Sequence, residues 1–293
     1  PSQLRSSVQQ PATDQPESKL TRILPAFLKR NPWLLVSCAL VAVSVVLGYL
    51  YLQSVSLPQT VTRAFILPPE TTSFNDADGG HLAISPNGKM VAFVAKDSVG
   101  KNQLWIRALN SLSALPLPGT GDAMYPFWSY ESKSIAFFAD GKLKRVDATG
   151  GPVTTLCDAG TARGGSWNQA GTIIFAPFGD RPIHQVAATG GISSAITRLD
   201  TVNKESSHRW PFFLPDGKHF LYTAQIAGGG DGAICSAMLG DDSRKQILAV
   251  SSNAEFANGH MTYVRQNNLI AHPFDPATSE FTGDPIPIAE RII

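Results

Sequence analysis

The sequence predicts an all-β fold, a β-propeller of four-stranded blades, preceded by one transmembrane helix. Three observations carry this expectation. A phrase made of an apolar residue, a polar turn and a β-branched or aromatic run returns about every 40 residues. Asn-Gly, Asp-Gly and Gly-Gly pairs mark hairpins at matching places in that phrase. One stretch of 20 residues carries no charge. The composition agrees: 43% of the 293 residues are hydrophobic and 16% charged, which excludes a disordered chain, and 3 cysteines are too few for a disulfide scaffold. The 25 glycines and 21 prolines fall throughout as turn punctuation, against a long helical protein. A formal net charge of +1 gives no electrostatic case for nucleic-acid binding by this segment.

Residues 1–32 set Arg5, Lys19, Arg22, Lys29 and Arg30 against Asp14 and Glu17, so this arm is basic while the rest of the chain is slightly acidic. Its first part, PSQLRSSVQQPATDQPES, has little to bury and reads as a flexible polar linker. A linker that opens the chain without a Met leads us to expect a further segment upstream. Trp33–Leu52 is uncharged, and a helix of that length spans about 30 Å, the thickness of a bilayer core. Trp33, Tyr49 and Tyr51 sit at its ends, where amphipathic rings favour headgroups. Arg22, Lys29 and Arg30 flank one end, so residues 1–32 are expected in the cytoplasm and the propeller in the periplasm, with the lipid bilayer as partner of residues 33–52. Residues 53–80 form a connector in which Val61–Leu67 is a candidate ring-closing strand.

The repeats occupy residues 81–293. LAISPNGKMVAFVA begins at Leu82, FWSYESKSIAFFAD at Phe127, SWNQAGTIIFAP at Ser166, FFLPDGKHFLYTA at Phe212 and EFANGHMTYV at Glu255. Asn87-Gly88 and Asp216-Gly217 signal type I′ hairpins between the first two strands of a unit. Asp140-Gly141 marks the next hairpin, and Gly150-Gly151 and Gly190-Gly191 the one after. Four strands in about 40 residues make one blade, and at least five blades are expected. The chain ends directly after a blade-like strand, so five is read as a lower bound and the ring as incomplete.

Ser85–Lys89 (SPNGK) and Leu214–Lys218 (LPDGK), each followed by apolar residues, resemble the TolB-type β-propeller repeat. Gln103–Thr120, Tyr125–Pro152 and Ser207–Tyr222 are more specifically similar to the extracytoplasmic propeller of bacterial membrane-anchored serine/threonine protein kinases. In that family a cytoplasmic kinase domain, a linker and one membrane helix precede the propeller, and linker, helix and propeller follow in the same order here. The resemblance implies a non-catalytic sensor module that binds a protein, a peptide or a small ligand outside the cytoplasm, and admits a homodimer. No G-x-G-x-x-G loop, H-R-D-type loop or D-F-G is present, so no kinase chemistry is expected of this segment. Two alternatives stay open: a propeller gating a prolyl oligopeptidase-like domain, and the sensor of a membrane-bound winged-helix regulator.

Chemistry-bearing motifs are sparse. Gly164-Gly165-Ser166-Trp167-Asn168 fails as a nucleophile elbow at its last position. The six histidines show no zinc spacing, and Asn75–Gly80 lacks the remaining ligands of a calcium loop, so no metal or other cofactor is expected. Cys157 and Cys235 fall in different units and are expected as thiols. Ser207-His208-Arg209-Trp210-Pro211 is the notable polar-aromatic cluster, placed before a blade's first strand where residues line the channel mouth. The candidate ligand-binding residues are therefore His208, Arg209 and Trp210, with His81, Tyr125 and Glu255 at the matching places in other blades.

Overall fold

The computed structural model describes residues 32–54, 65–74, 82–230 and 232–291, with backbone alone for 32, 34, 35 and 51–54. The chain divides into two units, residues 1–65 and 66–293. The first contains a helix, α1 (Pro32–Ser54), of 23 residues. Pro32 suits a first helical position because the amide it lacks would have no helical acceptor. The helix stands where the sequence places one, but the expected span does not follow from it. Among the described residues no helix is long and apolar enough to cross a membrane.

The second unit is five antiparallel sheets, each built around four strands. The first blade comprises β1 (Ser73–Phe74), β2 (Leu82–Ile84), β3 (Met90–Lys96), β4 (Asn102–Ala108) and β5 (Ala114–Pro116). The second has β6 (Met124–Trp128), β7 (Ser134–Ala139), β8 (Lys142–Asp147) and β9 (Thr154–Asp158); the third has β10 (Gly165–Trp167), β11 (Thr172–Phe175), β12 (His184–Ala187) and β13 (Ser194–Ala195). The fourth has β14 (Glu205–Phe213), β15 (His219–Ile226), β16 (Ala233–Met238) and β17 (Arg244–Leu248). The fifth has β18 (Ala254–Ala257), β19 (His260–Arg265), β20 (Asn268–Asp275), β21 (Glu280–Phe281) and β22 (Ile286–Ala289).

The second strand of a blade is apolar at nearly every position because both of its faces are covered. In β7, Ile135, Phe137 and Ala139 pack with Ala92 and Val94 of β3, whereas Ala136 and Phe138 pack with Ile173 and Phe175 of β11. The period of two sends alternate side chains to opposite neighbouring blades. In β11, Ile174 turns the other way, to Phe220 and Tyr222 of β15. Leu221 of β15 then joins Met261 and Tyr263 of β19. Successive cores thus interleave along the chain.

Polar links fasten the same joints. Trp128 Nε1 donates to the Ala83 carbonyl at 2.9 Å, Asn168 Nδ2 to the Gly217 carbonyl at 2.7 Å, and Thr223 Oγ1 to the Ser252 carbonyl at 2.6 Å.

Two local expectations need correction. The turns at Asn87-Gly88 and Asp216-Gly217 are not type I′, since Gly88 and Gly217 have positive φ but the residue before each does not. Pro86 and Pro215 fix φ near −65° and place the central pair one residue earlier, giving a type I turn followed by a left-handed glycine. The amides of Gly88 and Gly217 close these turns on the carbonyls of Ser85 and Leu214. In the second blade Ser132 takes the left-handed place, at φ 60°, and its Oγ accepts the Asn87 amide of the first blade. The connector also differs: residues 65–67 are not strand, and 61–64 lie outside the described residues. Instead, β1 pairs with the end of β3 on the edge that β2 also uses.

Cys157 and Cys235 are free thiols in the second and fourth blades. Burial pushes the Cys157 thiol up to about 11, so neither metal binding nor rapid alkylation is favoured there near neutrality.

The two-sided packing makes a quantitative expectation. Phe137→Ala should lower unfolding free energy by about 3–5 kcal/mol, read from guanidinium denaturation with an unchanged m-value. A loss below about 1 kcal/mol would mean that the face toward the first blade is not packed as described.

Candidate functional site

The innermost strands lie side by side in the order β2, β6, β10, β14, β18. Residues from all five line one cavity of about 970 Å³, at the upper end of the range for ligand sites. Its walls include the backbone of Gly164 and Gly165 and the side chains of Tyr125, Phe127, Trp210 and Phe212.

Counting back four residues from the turn-opening Ser129, Asn168 and Leu214 gives Tyr125, Gly164 and Trp210. All three have left-handed backbones, at φ 47°, 81° and 55°. A bulky residue in that conformation costs about 1–3 kcal/mol and persists only where its surroundings enforce it. Here the next residue enforces it in part: Pro126 and Pro211 offer no amide to the ladder. Register breaks follow, between Met124 and Phe127 and between Arg209 and Phe212. The bulges swing the two rings toward one another, edge to face, with centroids 5.2 Å apart.

Tyr125 and Trp210 belong to blades that are not neighbours; the third blade stands between them. They meet because that blade presents Gly164-Gly165 at the crossing. A Cβ on Gly164 would lie 2.8 Å from Trp210 Cε3, and one on Gly165 would lie 2.6 Å from Phe127 Cε1. The Trp210 amide donates to the Arg163 carbonyl at 2.9 Å, which ties the fourth blade to the loop before β10.

The other candidate residues differ in where they fall. Glu255, on β18, lines the cavity. Its side chain reaches the cavity solvent but is crowded by protein, and desolvation raises its carboxyl above the ordinary range. Arg209 is half-buried just outside the lining, with Nε donating to Ser207 Oγ at 2.9 Å and Nη2 to the Gly179 carbonyl at 3.1 Å. Desolvation and the neighbouring Arg163 charge both lower its pKa. His81 lies outside the described residues.

His208 does not line the channel: it is fully buried. Its Nδ1 is 2.8 Å from Thr197 Oγ1, its Nε2 is 3.1 Å from Glu205 Oε2, and its ring packs on Tyr222 with centroids 4.6 Å apart. Burial would raise the Glu205 carboxyl, but the Asp200 amide, Arg244 and His208 outweigh it and hold it low. Arg244 Nη1 donates to both Glu205 oxygens, at 2.6 and 2.8 Å. Desolvation lowers the His208 pKa despite the attraction of Glu205. The cluster locks the outer part of the fourth blade. Among the described residues, no group of three potential metal ligands forms.

Arg163 was not singled out from sequence, and Gly164 and Gly165 entered only as part of a failed nucleophile elbow. Aligning the repeats on their turns would have found them, since it sets Gly164 beside Tyr125 and Trp210, and Arg163 beside Arg209.

No family model matches the chain, and no curated protein matches it. Solved structures do match. TolB from Acinetobacter baumannii superposes with a TM-score of 0.53 at 15% identity, covering 71% of this chain and 54% of that one. A structure of the nidogen/laminin complex gives 0.52 at 13%, covering 70% and 78%. A protein assigned as TolB from Agrobacterium tumefaciens gives 0.51 at 17%, covering 62% and 73%. The fold is thus that of the TolB-like β-propellers, and the chain spans about half the length of the A. baumannii protein.

Gly164→Ala should cost about 1–3 kcal/mol and shift tryptophan fluorescence. Gly171→Ala, also left-handed but in open space, should cost only about 1 kcal/mol. Equal losses would contradict the close approach of Trp210.

The buried histidine fixes a pH dependence. His208 titrates lower in the folded chain than its ordinary 6.5, so the unfolded chain takes up the proton first and stability falls as pH drops through about 6.5. The lowered Glu205 adds a second loss below about pH 4.5. Thermal melts between about pH 7.5 and 5.5 should show the first loss, and His208→Gln should flatten it. A wild-type melting temperature that rises on acidification would contradict the neutral, buried His208.

Proposed function

We propose that this chain is a membrane-anchored, extracytoplasmic binding propeller, the non-catalytic sensor region of a receptor-type serine/threonine protein kinase. The binding role rests on one observation: two strained aromatic residues from separate blades meet over a pair of glycines at the mouth of a channel of about 970 Å³. Backbone strain of that kind concentrates where a site is held in a preset shape. Arg209 and Glu255 are the polar candidates beside this mouth, and His81 is a candidate by its place in the repeat alone.

The anchoring role rests on Trp33–Leu52. This run is uncharged, and the large apolar side chains described within α1, among them Leu40, Val45 and Leu50, are exposed around the helix. A helix apolar on every side is suited to lipid or to burial rather than to water. The kinase role rests on the repeat resemblance together with the order of polar linker, apolar helix and propeller. A ligand would signal through a single helix by changing association or tilt, so a ligand-dependent dimer is the expected mode.

Two measurements test this reading. The full chain should stay in the membrane pellet after carbonate extraction, and the Val43→Lys/Leu47→Lys variant should not; a wild-type chain that washes off would refute anchoring. Tyr125→Ala and Trp210→Ala should each weaken ligand capture by about tenfold or more, with intact β-sheet circular dichroism. Unchanged capture by both would remove the mouth as the site.

A further inference from the structure

We propose that the channel mouth takes an acidic peptide segment, with Arg163 and Arg209 holding its carboxylates and the Tyr125–Trp210 pair packing against its chain. This rests on the mouth being the binding site and adds the chemistry of what it binds.

Arg163 and Arg209 occupy the same place in the third and fourth repeats, one residue before the left-handed position. The hydrogen bond from the Trp210 amide to the Arg163 carbonyl holds their backbones side by side. Both guanidinium groups are fixed by neutral acceptors only. Arg163 Nη1 donates to the carbonyls of Ala162 at 2.8 Å and Thr161 at 3.4 Å, and Arg209 to Ser207 Oγ and the Gly179 carbonyl. Arg181 is ion-paired with Asp180, Arg198 with Asp242 and Arg244 with Glu205, whereas Arg107 and Arg145, in the first two blades, also donate to backbone carbonyls. Among the described residues, Arg163 and Arg209 form no ion pair.

The two like charges lie close enough for Arg163 to help lower the Arg209 pKa, and both residues are half-buried with no ion pair among the described residues. That arrangement costs free energy in the empty chain and is relieved by an anion bound between them. Each guanidinium has five N–H donors, and neither spends all of them on the protein. Their fixed positions lower the ordering cost of binding. A channel of about 970 Å³ is far larger than an isolated inorganic anion requires, and the aromatic and proline surface beside the arginines suits a peptide chain.

The test uses the full chain in detergent and two pooled, amidated hexapeptide libraries. Both carry randomised uncharged residues at alternate positions; one has Glu at the others and the second has Gln. The Glu pool should bind at least about tenfold more tightly than the Gln pool, and binding should weaken steadily as salt is raised. Arg163→Gln and Arg209→Gln should each cost about tenfold in affinity for the Glu pool and little for the Gln pool. The conservative Arg209→Lys should retain part of the preference, which separates charge from loss of the Gly179 contact. Equal binding of the two pools, or a Glu-pool affinity that both Gln variants leave intact, would overturn the proposal. Equal binding that Trp210→Ala abolishes would do so while leaving the mouth as the binding site. Failure of the Glu pool to bind would remove the acidic-peptide assignment outright.

Discussion

Space near the channel is the constraint on which the rest of this molecule depends. Five innermost strands converge there, and their first residues have less room than the strands farther out. The chain resolves the crowding with one backbone device used in three consecutive blades, a left-handed residue four positions before the turn. Gly164 takes that conformation with no steric penalty, and its missing side chain is the space into which Trp210 fits. Tyr125 and Trp210 take it at a cost, and each is followed by a proline that gives no ladder amide. The strain is borne by packing elsewhere, above all by the two-sided second strands that interleave each blade with the next.

The architecture was legible because it is written in a period. The run SIAFFA in β7 is apolar at five of its six positions, as expected for a strand covered on both faces, and the turn pairs repeat at matching distances. Turn type was less legible. Asn-Gly and Asp-Gly suggest type I′ hairpins, but Pro86 and Pro215 impose a different turn one residue earlier. The preceding residue, and not the pair itself, decides the geometry.

The site was half legible. Tyr125, Trp210 and Glu255 do line the cavity, since position in a repeat predicts position around the channel. His208 has the same repeat logic yet turns away from it, into a cluster with Glu205, Thr197 and Tyr222. A strand alternates faces at each residue, so neighbours in sequence part company. The bulge at Trp210 then resets the alternation. Gly164 and Gly165 carry no chemistry of their own and give no signal until the repeats are superposed. The same superposition sets Arg163 beside Arg209, and its carbonyl accepts the Trp210 amide.

The most direct test of the mouth as a binding site is hydrogen–deuterium exchange on the full chain, with and without the Glu-containing hexapeptide pool. The account predicts slowed exchange in residues 160–166 and 205–213, where the loop before β10 and the bulged strand β14 meet, with β9 and β17 unchanged. Protection confined to those outer strands, or none at all, would contradict it.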